Sequence, residues 1–228
     1  AEISDVYMCL ENTQLSPSPF DVYYQGESLP AVMDITLPGH MTPLLFGSGS
    51  AELLRSNENG MKTWRMTDEG YNMILYAGDY IQEEIPVESA GITVNFYYSR
   101  KHQSIMKDMN VAEMIRQTIA YCTEHIGPLS FYGDGTFNLI ESRTSGGGYA
   151  GDGASLADEL DFTMQNLSDG AKGGTPAQTT IHEIVHQWWG LGNMFDPMDT
   201  ENIWSAEGLT CYTTYRIVKE LYGEAVAQ

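Results

Sequence analysis

Residues 182–186 read His-Glu-Ile-Val-His, a pattern whose residue types and spacing suit metal chemistry. On a helix, positions i and i+4 lie one turn apart on the same face, so the imidazoles of His182 and His186 can bind one zinc ion. Glu183 follows the first histidine and can act as general base toward a water molecule on that ion. The alternative is a pair of ordinary histidines on a helix, either exposed or in the core.

The residues around this pattern predict an amphipathic helix. Thr175 is a candidate N-cap, Pro176 suits the first helical position and Gln178 completes a capping box, so the helix is expected to start at 176. Gly190 and Gly192 are expected to end it. The apolar residues recur at helical spacing and predict a core-facing stripe: Ile181, Ile184, Val185 and Trp188. The two histidines fall on a different face, which favours a metal site in a cleft.

A catalytic zinc site needs a third protein ligand and an open position for water. Glu207 is the best candidate, because Ser205 can cap a helix that runs to about Tyr222 and the helix dipole favours a carboxylate in the first turn. Glu201 and Asp199 are alternative ligands in a polar, loop-like stretch. A further alternative is that Glu207 only stabilises the start of the helix.

The first hundred residues read as β structure. Short runs rich in β-branched and aromatic residues are bracketed by turn formers, which favours an antiparallel sandwich or open sheet. The predicted strands are 33–37, 62–66, 73–80 and 92–99.

The pattern changes after Arg100. Asn110 and Glu113 form a capping-box arrangement, apolar residues including Cys122 then recur at helical spacing, and Gly127 supplies the stop. A strand is expected over 137–141. Residues 145–153 are too glycine-rich for a helix, and a strand edge or turn that a ligand backbone approaches closely is favoured over a phosphate-type loop. The chain is therefore expected to be α+β.

Composition excludes several classes of partner. The chain has 228 residues, with 11 basic and 31 acidic residues and a formal net charge of -20. Such a surface repels nucleic acid and anionic membranes. No apolar run is long enough for a transmembrane segment. The three cysteines show no metal or disulfide spacing. Both ends look like cuts in a longer polypeptide.

The extended motif 182–190, His-Glu-Ile-Val-His-Gln-Trp-Trp-Gly, resembles the aminopeptidase-N-type zinc metallopeptidases, a gluzincin family. Residues 204–208 are similar to that family's downstream block, which implies that Glu207 is the third zinc ligand. Residues 71–80 resemble the end of its N-terminal β domain, and the helix at 110–126 resembles the opening of its thermolysin-like catalytic domain. The resemblance covers about 30–228.

The sequence departs from the family pattern at four places. Two more residues than usual separate His186 from Glu207, and Ala206 replaces an asparagine. In the segment matching the family's amine-binding motif, Ala150 stands in the glutamate position, which puts free-amine specificity in doubt. The family's transition-state tyrosine would lie beyond this chain, and nothing identifies Tyr212 or Tyr215 as its substitute.

The resemblance implies an N-terminal β-sandwich-like domain over 1–102 and a C-terminally truncated, thermolysin-like zinc peptidase domain over 103–228. The expected function is a zinc-dependent metallopeptidase that hydrolyses peptide bonds through a zinc-bound water, with the peptide held by Gly147, Gly148 and Tyr149. The alternative is a zinc-containing peptide-binding or sensory domain with weak or no hydrolysis.

The glycine-rich replacement at 147–151 is also similar to that of bacterial membrane proteins that fuse such a domain to transporter permease segments. This resemblance implies that the chain belongs to a longer membrane-anchored protein, membrane-associated or extracytoplasmic in a bacterium. Substrate preference, exopeptidase or endopeptidase action, oligomeric state and compartment stay open.

Overall fold

The computed structural model of this chain describes most of its residues, in ten segments. These are 2–3, 7–10, 31–46, 49–68, 74–129, 135–143, 148–151, 153–162, 177–193 and 200–227. The chain divides into two compact units, 1–80 and 81–228. The fold is α+β: antiparallel sheets form the N-terminal part, and a mixed sheet followed by helices forms the rest.

The first unit contains two antiparallel sheets. Its strands are β1 (Glu2–Ile3), β2 (Tyr7–Leu10), β3 (Ala31–Pro38), β4 (Thr42–Leu45), β5 (Ser50–Ser56), β6 (Met61–Asp68) and β7 (Leu75–Gly78). One sheet has the order β1-β2-β7-β4 and the other the order β3-β6-β5. Apolar side chains from these strands and their turns form a small core: Met8, Leu37, Met41, Leu45, Met66, Leu75 and Ala77.

A five-stranded mixed sheet lies in the second unit. Its strands are β8 (Tyr80–Val87, which begins on the last residue of the first unit), β9 (Ile92–Ser99), β10 (Thr136–Ser142), β11 (Ala150–Gly151) and β12 (Ala154–Asp158). The strand order is β11-β12-β10-β9-β8. Strand β10 is parallel to both β9 and β12, and the short β11 pairs antiparallel to β12. Strand β11 is therefore at the edge of the sheet.

Helices follow and interrupt this sheet. They are α1 (Gln103–Asp108), α2 (Val111–His125), α3 (Gln178–Val185), α4 (Leu209–Tyr222) and α5 (Glu224–Ala227), with 3-10 helices at Arg100–His102, Glu159–Phe162 and Thr200–Asn202 and a π-helix at Trp204–Gly208. One apolar core joins α2, α3 and α4 to the sheet, with Val94, Phe96, Ile115, Ile119, Phe137, Ile184, Trp188 and Ile217 at its centre. Within the described segments, no helix is long and apolar enough to cross a membrane.

The structure confirms several expected elements. The strands predicted at 33–37, 62–66, 92–99 and 137–141 are β3, β6, β9 and β10, and the helix expected after Asn110 is α2. Cys122 is fully buried in the core, as expected. The described part of 73–80 contains β7 and the first residue of β8, whereas β1, β2, β4, β5, β12 and most of β8 were not predicted.

The predicted capping box at the start of α2 is wrong. Asn110 has a left-handed backbone with φ of 55°, and its side chain makes no capping hydrogen bond. The Glu113 carboxylate instead accepts a hydrogen bond from Arg116 at 3.2 Å. The helix still starts at Val111, because Val111, Met114 and Ile115 bury one face against the core.

The expectation of antiparallel β structure over the first hundred residues is confirmed for the two sheets of the first unit and does not hold for β9. Strands β8 and β9 belong to the mixed sheet of the second unit, where β9 pairs in parallel with β10. The boundary between the compact units falls between residues 80 and 81, whereas the domain boundary predicted from the resemblance lies at 102/103 and stays a prediction. Strand β9 belongs to the second unit because its backbone pairs with β10, about 40 residues further along the chain.

Candidate metal centre

Helix α3 carries the first residues of the candidate site. Its predicted apolar stripe is confirmed, because Ile181, Ile184, Val185 and Trp188 are all buried in the core. The proposed cap and first residue, Thr175 and Pro176, lie outside the described residues, and the helix begins at Gln178. It ends at Val185, earlier than Gly190, but His186 keeps helical backbone angles and its amide still bonds the His182 carbonyl at 3.2 Å.

The start of α3 is capped from a distant segment. Asp161, in the 3-10 helix Glu159–Phe162, accepts hydrogen bonds from the Thr180 amide at 2.7 Å and the Thr180 hydroxyl at 2.9 Å. Burial raises the pKa of the Asp161 carboxyl, and the two bonds from Thr180 oppose that shift. A buried carboxylate thus satisfies a backbone amide in the first turn, where amides lack partners within the helix.

The side chains of His182, His186 and Glu207 meet at one point. The two Nε2 atoms are 3.1 Å apart, and Glu207 Oε2 lies 3.3 Å from His182 Nε2 and 3.5 Å from His186 Nε2. Among the described residues, this is the group of histidine, cysteine and acidic side chains that could hold a metal ion. Zinc bonds of about 2.0–2.1 Å at tetrahedral angles place ligand atoms about 3.3–3.4 Å apart, so the three atoms fit a zinc ion.

Hydrogen bonds at Nδ1 fix the orientation of the His186 imidazole. Its Nδ1 lies 3.0 Å from the Trp189 carbonyl oxygen and 3.3 Å from the Thr210 hydroxyl. A carbonyl can only accept, so Nδ1 carries a proton, and Nε2 is the ring nitrogen placed to bind a metal ion beside Glu207. At His182, burial and then the neighbouring His186 lower the pKa of the imidazole, which favours the neutral form that binds metals.

Glu207 reaches the histidines from the π-helix Trp204–Gly208, which continues directly into α4. The prediction that Ser205 caps this helix is wrong: the helix begins one residue earlier, and the Ser205 hydroxyl donates to the Asn202 carbonyl at 2.7 Å. About half of the Glu207 side chain is exposed. Of the rival ligands, Glu201 lies in a 3-10 helix and is not in the group, and Asp199 lies outside the described residues.

Glu183 is buried beside the ligands. It is 7% exposed, and burial, followed by the charges of Glu207 and Asp161, raises the pKa of its carboxyl to about 7. The backbone of Gly148 lies directly against this side chain, because a Cβ added at Gly148 would come within 2.0 Å of Glu183 Cγ. The glycine is therefore required by close approach to the carboxylate.

The three residues expected to hold a peptide have different outcomes. Gly147 lies outside the described residues. Gly148 lies against Glu183, and Tyr149 is exposed, with its carbonyl accepting the Leu156 amide at 2.8 Å. They precede the edge strand β11, so the expectation of a strand edge or turn is confirmed for the described part of 145–153.

Two further side chains join α3 to its neighbours, and sequence reasoning did not assign them. The Gln187 carboxamide bonds the backbone of the β11–β12 turn, with Nε2 donating to the Gly151 carbonyl at 2.9 Å. The Trp189 indole donates to the Thr213 hydroxyl of α4 at 3.0 Å. The sequence offered one indication for Gln187, a polar residue placed between the apolar residues Val185 and Trp188. No local pattern indicated that Thr213 would accept a hydrogen bond from Trp189.

The two tyrosines considered as phenol donors are engaged on α4. The Tyr212 hydroxyl accepts a hydrogen bond from Arg216 at 3.0 Å, and Tyr215 donates to Glu224 at 3.2 Å. Neither contact involves the group formed by the histidines and Glu207.

The chain matches no protein-family model. The resemblance to aminopeptidase-N-type enzymes therefore stays a prediction from the residues of the motif segments.

Proposed function

We propose that this chain is the catalytic part of a zinc-dependent peptidase related to the aminopeptidase-N type, with a thermolysin-like arrangement around the metal. The observation that supports this most is the convergence of His182, His186 and Glu207, whose ligand atoms lie 3.1–3.5 Å apart. Two histidines and one carboxylate are a donor set typical of catalytic zinc. They leave one tetrahedral position for water or substrate.

A zinc ion held by these ligands would polarise the scissile carbonyl and lower the pKa of the attacking water. Glu183 is the proposed general base. It follows a ligand directly, and its carboxylate is near enough to Glu207 for their charges to interact. It would take a proton from the attacking water and deliver one to the leaving amine.

The edge strand β11 is the proposed docking site for the peptide. Among the described strands, β11 pairs with β12 alone, so its other edge is the one proposed to pair with an extended substrate backbone. Gly148 and Tyr149 lead into this strand, and Gly148 borders Glu183. A peptide added there would run beside the proposed base, with backbone bonds supplying affinity that does not depend on substrate sequence.

The first experiment is metal analysis of protein purified without chelator. We expect about one zinc per chain, with anomalous scattering at the zinc edge between the two imidazoles and Glu207. His186→Ala and Glu207→Ala should each lose most of this zinc. The matched control is Glu201→Ala, which removes a nearby acid that is not in the group. Less than about 0.1 zinc per chain in the unaltered protein would instead favour a structural domain with accidental histidines.

A zinc-containing peptide-binding or sensory domain with weak hydrolysis is the second candidate. It is supported by Ala150, which stands where the resemblance implies an amine-binding glutamate. It is also supported by the engagement of the Tyr212 and Tyr215 hydroxyls with Arg216 and Glu224.

Blocked and unblocked fluorogenic peptides separate these functions. Cleavage of free-amine substrates alone would mean an aminopeptidase, and cleavage of end-blocked peptides an endopeptidase. Bound zinc without any cleavage would favour the binding domain. In the wider context, the resemblance supports the proposal that the chain is part of a longer membrane-anchored bacterial protein.

A further inference from the structure

Gln187 is a buried polar side chain that the proposed reaction does not use. It follows His186 directly and is 2% exposed. Its Nε2 donates to the carbonyl of Gly151 at 2.9 Å and to that of Ala154 at 3.3 Å, and its Oε1 accepts the amide of Gly153 at 3.2 Å. One carboxamide thus bonds both ends and the middle of the turn that joins β11 to β12.

A second contact fastens the same region to α3. The hydroxyl of Ser155, in β12, donates to the Glu183 carbonyl at 2.7 Å and lies 3.4 Å from Gln187 Nε2. Ser155 is fully buried. The segment 183–187, which carries the proposed ligand His186, is therefore attached to the β11–β12 hairpin at two points. These are the backbone carbonyl of Glu183 and, four residues later, the side chain of Gln187.

This attachment determines how close the edge strand lies to the proposed base. Gly148, two residues before β11, already lies against the Glu183 side chain. Buried hydrogen bonds of this kind hold a segment rigidly, because a donor or acceptor left without its partner costs its desolvation free energy. If the β11–β12 turn lost its bonds to Gln187, the bond from Ser155 to the Glu183 carbonyl would still join the hairpin to α3, but fewer contacts would hold β11 in place.

We propose that Gln187 is a positioning residue that fixes the edge strand β11 against the metal-binding helix, so that an extended peptide paired with β11 lies at the metal centre. This inference rests on the proposed function. A glutamine suits the task because it offers a donor to the two carbonyls and an acceptor to the amide. A methionine has a similar length and offers no donor, and a glutamate would place its charge against the carbonyls of Gly151 and Ala154.

The test compares Gln187→Met with Trp188→Phe in the zinc-loaded protein. Trp188 is the next residue and is equally buried, and its indole donates to the Gly127 carbonyl at 2.7 Å, away from the hairpin. The control therefore removes one buried side-chain-to-backbone bond from the same turn. Three quantities are measured for each variant: zinc content, kcat and KM for a fluorogenic peptide, blocked or unblocked, that the wild type cleaves, and hydrogen exchange of the amides in 149–156.

We expect Gln187→Met to retain zinc, to raise KM about tenfold with a smaller change in kcat, and to speed exchange in 149–156. Trp188→Phe should lower Tm and leave KM and that exchange nearly unchanged. Equal KM changes in the two variants, or unchanged exchange in Gln187→Met, would overturn the positioning role. If zinc-loaded wild type cleaves no peptide, the proposed function fails, and the exchange measurement by itself decides whether Gln187 fixes the hairpin.

Discussion

Two carboxylates of the candidate site differ in their surroundings. Glu207 is half exposed and points its Oε2 at both imidazoles, whereas Glu183 is almost fully buried and bordered by Gly148. A carboxylate oxygen aimed at two imidazoles suits the role of a metal ligand. Burial disfavours the charged form and raises the affinity of the carboxylate for a proton, which suits a group that must accept one. The residue environments thus support the separate roles proposed for them.

Replacement of Glu183 by glutamine tests the role of general base. Glutamine keeps the size of the side chain but cannot take a proton, so kcat should fall by about 10²–10⁴-fold while zinc content stays near one per chain. The measurements are turnover of a fluorogenic peptide, blocked or unblocked, that the wild type cleaves, and metal analysis of the same sample. Glu201→Gln is the control and should retain activity. Wild-type turnover in Glu183→Gln would remove Glu183 from the mechanism.

A second ionisable pair in the same unit makes stability depend on pH. Nδ1 of His102 bonds the buried carboxylate of Glu141, whose other oxygen accepts the Ser99 amide at 2.6 Å. The bond to Glu141 raises the pKa of His102. A raised pKa in the folded state means that the charged pair stabilises the fold fully below the ordinary value of about 6.5, and that this contribution is lost as pH rises through the folded value.

His102→Gln should therefore destabilise the protein more at pH 5.5 than at pH 9. The free energy of unfolding is measured by urea titration of both proteins at each pH. His125→Gln, at an exposed position at the end of α2, is the control. If the free energies of unfolding of wild type and His102→Gln differ by the same amount at both pH values, charge pairing does not stabilise the fold.

At the scale of elements, helix α3 is held by polar contacts from four directions. Asp161 bonds its first turn, Ser155 of β12 bonds its middle, and beyond its end Trp188 reaches the Gly127 carbonyl and Trp189 reaches α4. The helix has only eight residues, which is too short to be stable by itself. Its position in the core depends on these contacts and on its buried apolar stripe, and Ser155 is the one of the four that joins it to the β11–β12 hairpin.

Asp161→Ala should loosen the start of α3. It leaves the buried Thr180 amide without its partner, so the free energy of opening should fall by about 1–3 kcal/mol. Native-state hydrogen exchange of the amides in 180–185 measures this. Glu113→Ala is the control, because its pair with Arg116 is about 40% exposed and should change stability by less than about 1 kcal/mol. Unchanged protection of α3 would show that Asp161 is not its cap.

At the scale of the whole molecule, the charge is the dominant feature. A formal net charge of -20 on 228 residues means that the acidic side chains repel one another across the surface. Such repulsion destabilises a compact chain and is screened by salt, because the Debye length falls from about 10 Å at 0.1 M to about 3 Å at 1 M.

We expect Tm to rise when sodium chloride is raised from about 0.05 M to about 1 M, because screening removes more repulsion from the folded than from the expanded chain. Thermal unfolding followed by circular dichroism measures this. Sucrose at the same osmolality is the control for exclusion of solutes from the surface. A Tm that falls or stays constant with salt would show that the acidic residues are spaced widely enough not to repel.

The sequence by itself determined features that depend on residues close together in the chain. The spacing of His182 and His186 and the apolar stripe of α3 follow from helical periodicity, since residues one turn apart share a face. The strands β3, β6, β9 and β10 and the body of α2 follow from local composition and period. Glu207 was selected over its rivals by its expected place in the first turn of a helix and by the resemblance, and its place beside both imidazoles agrees with that selection.

The tertiary structure decided what depends on partners that are distant in sequence. The cap of α3 is Asp161, 19 residues from Thr180, and the bonds of Gln187 reach back 32 to 36 residues to the β11–β12 hairpin. Strand β9 finds β10 rather than a neighbour in the first unit. Local periodicity carries no information about such pairings. A buried donor can bond any acceptor that the packing brings within reach, and only the folded chain specifies which acceptor that is.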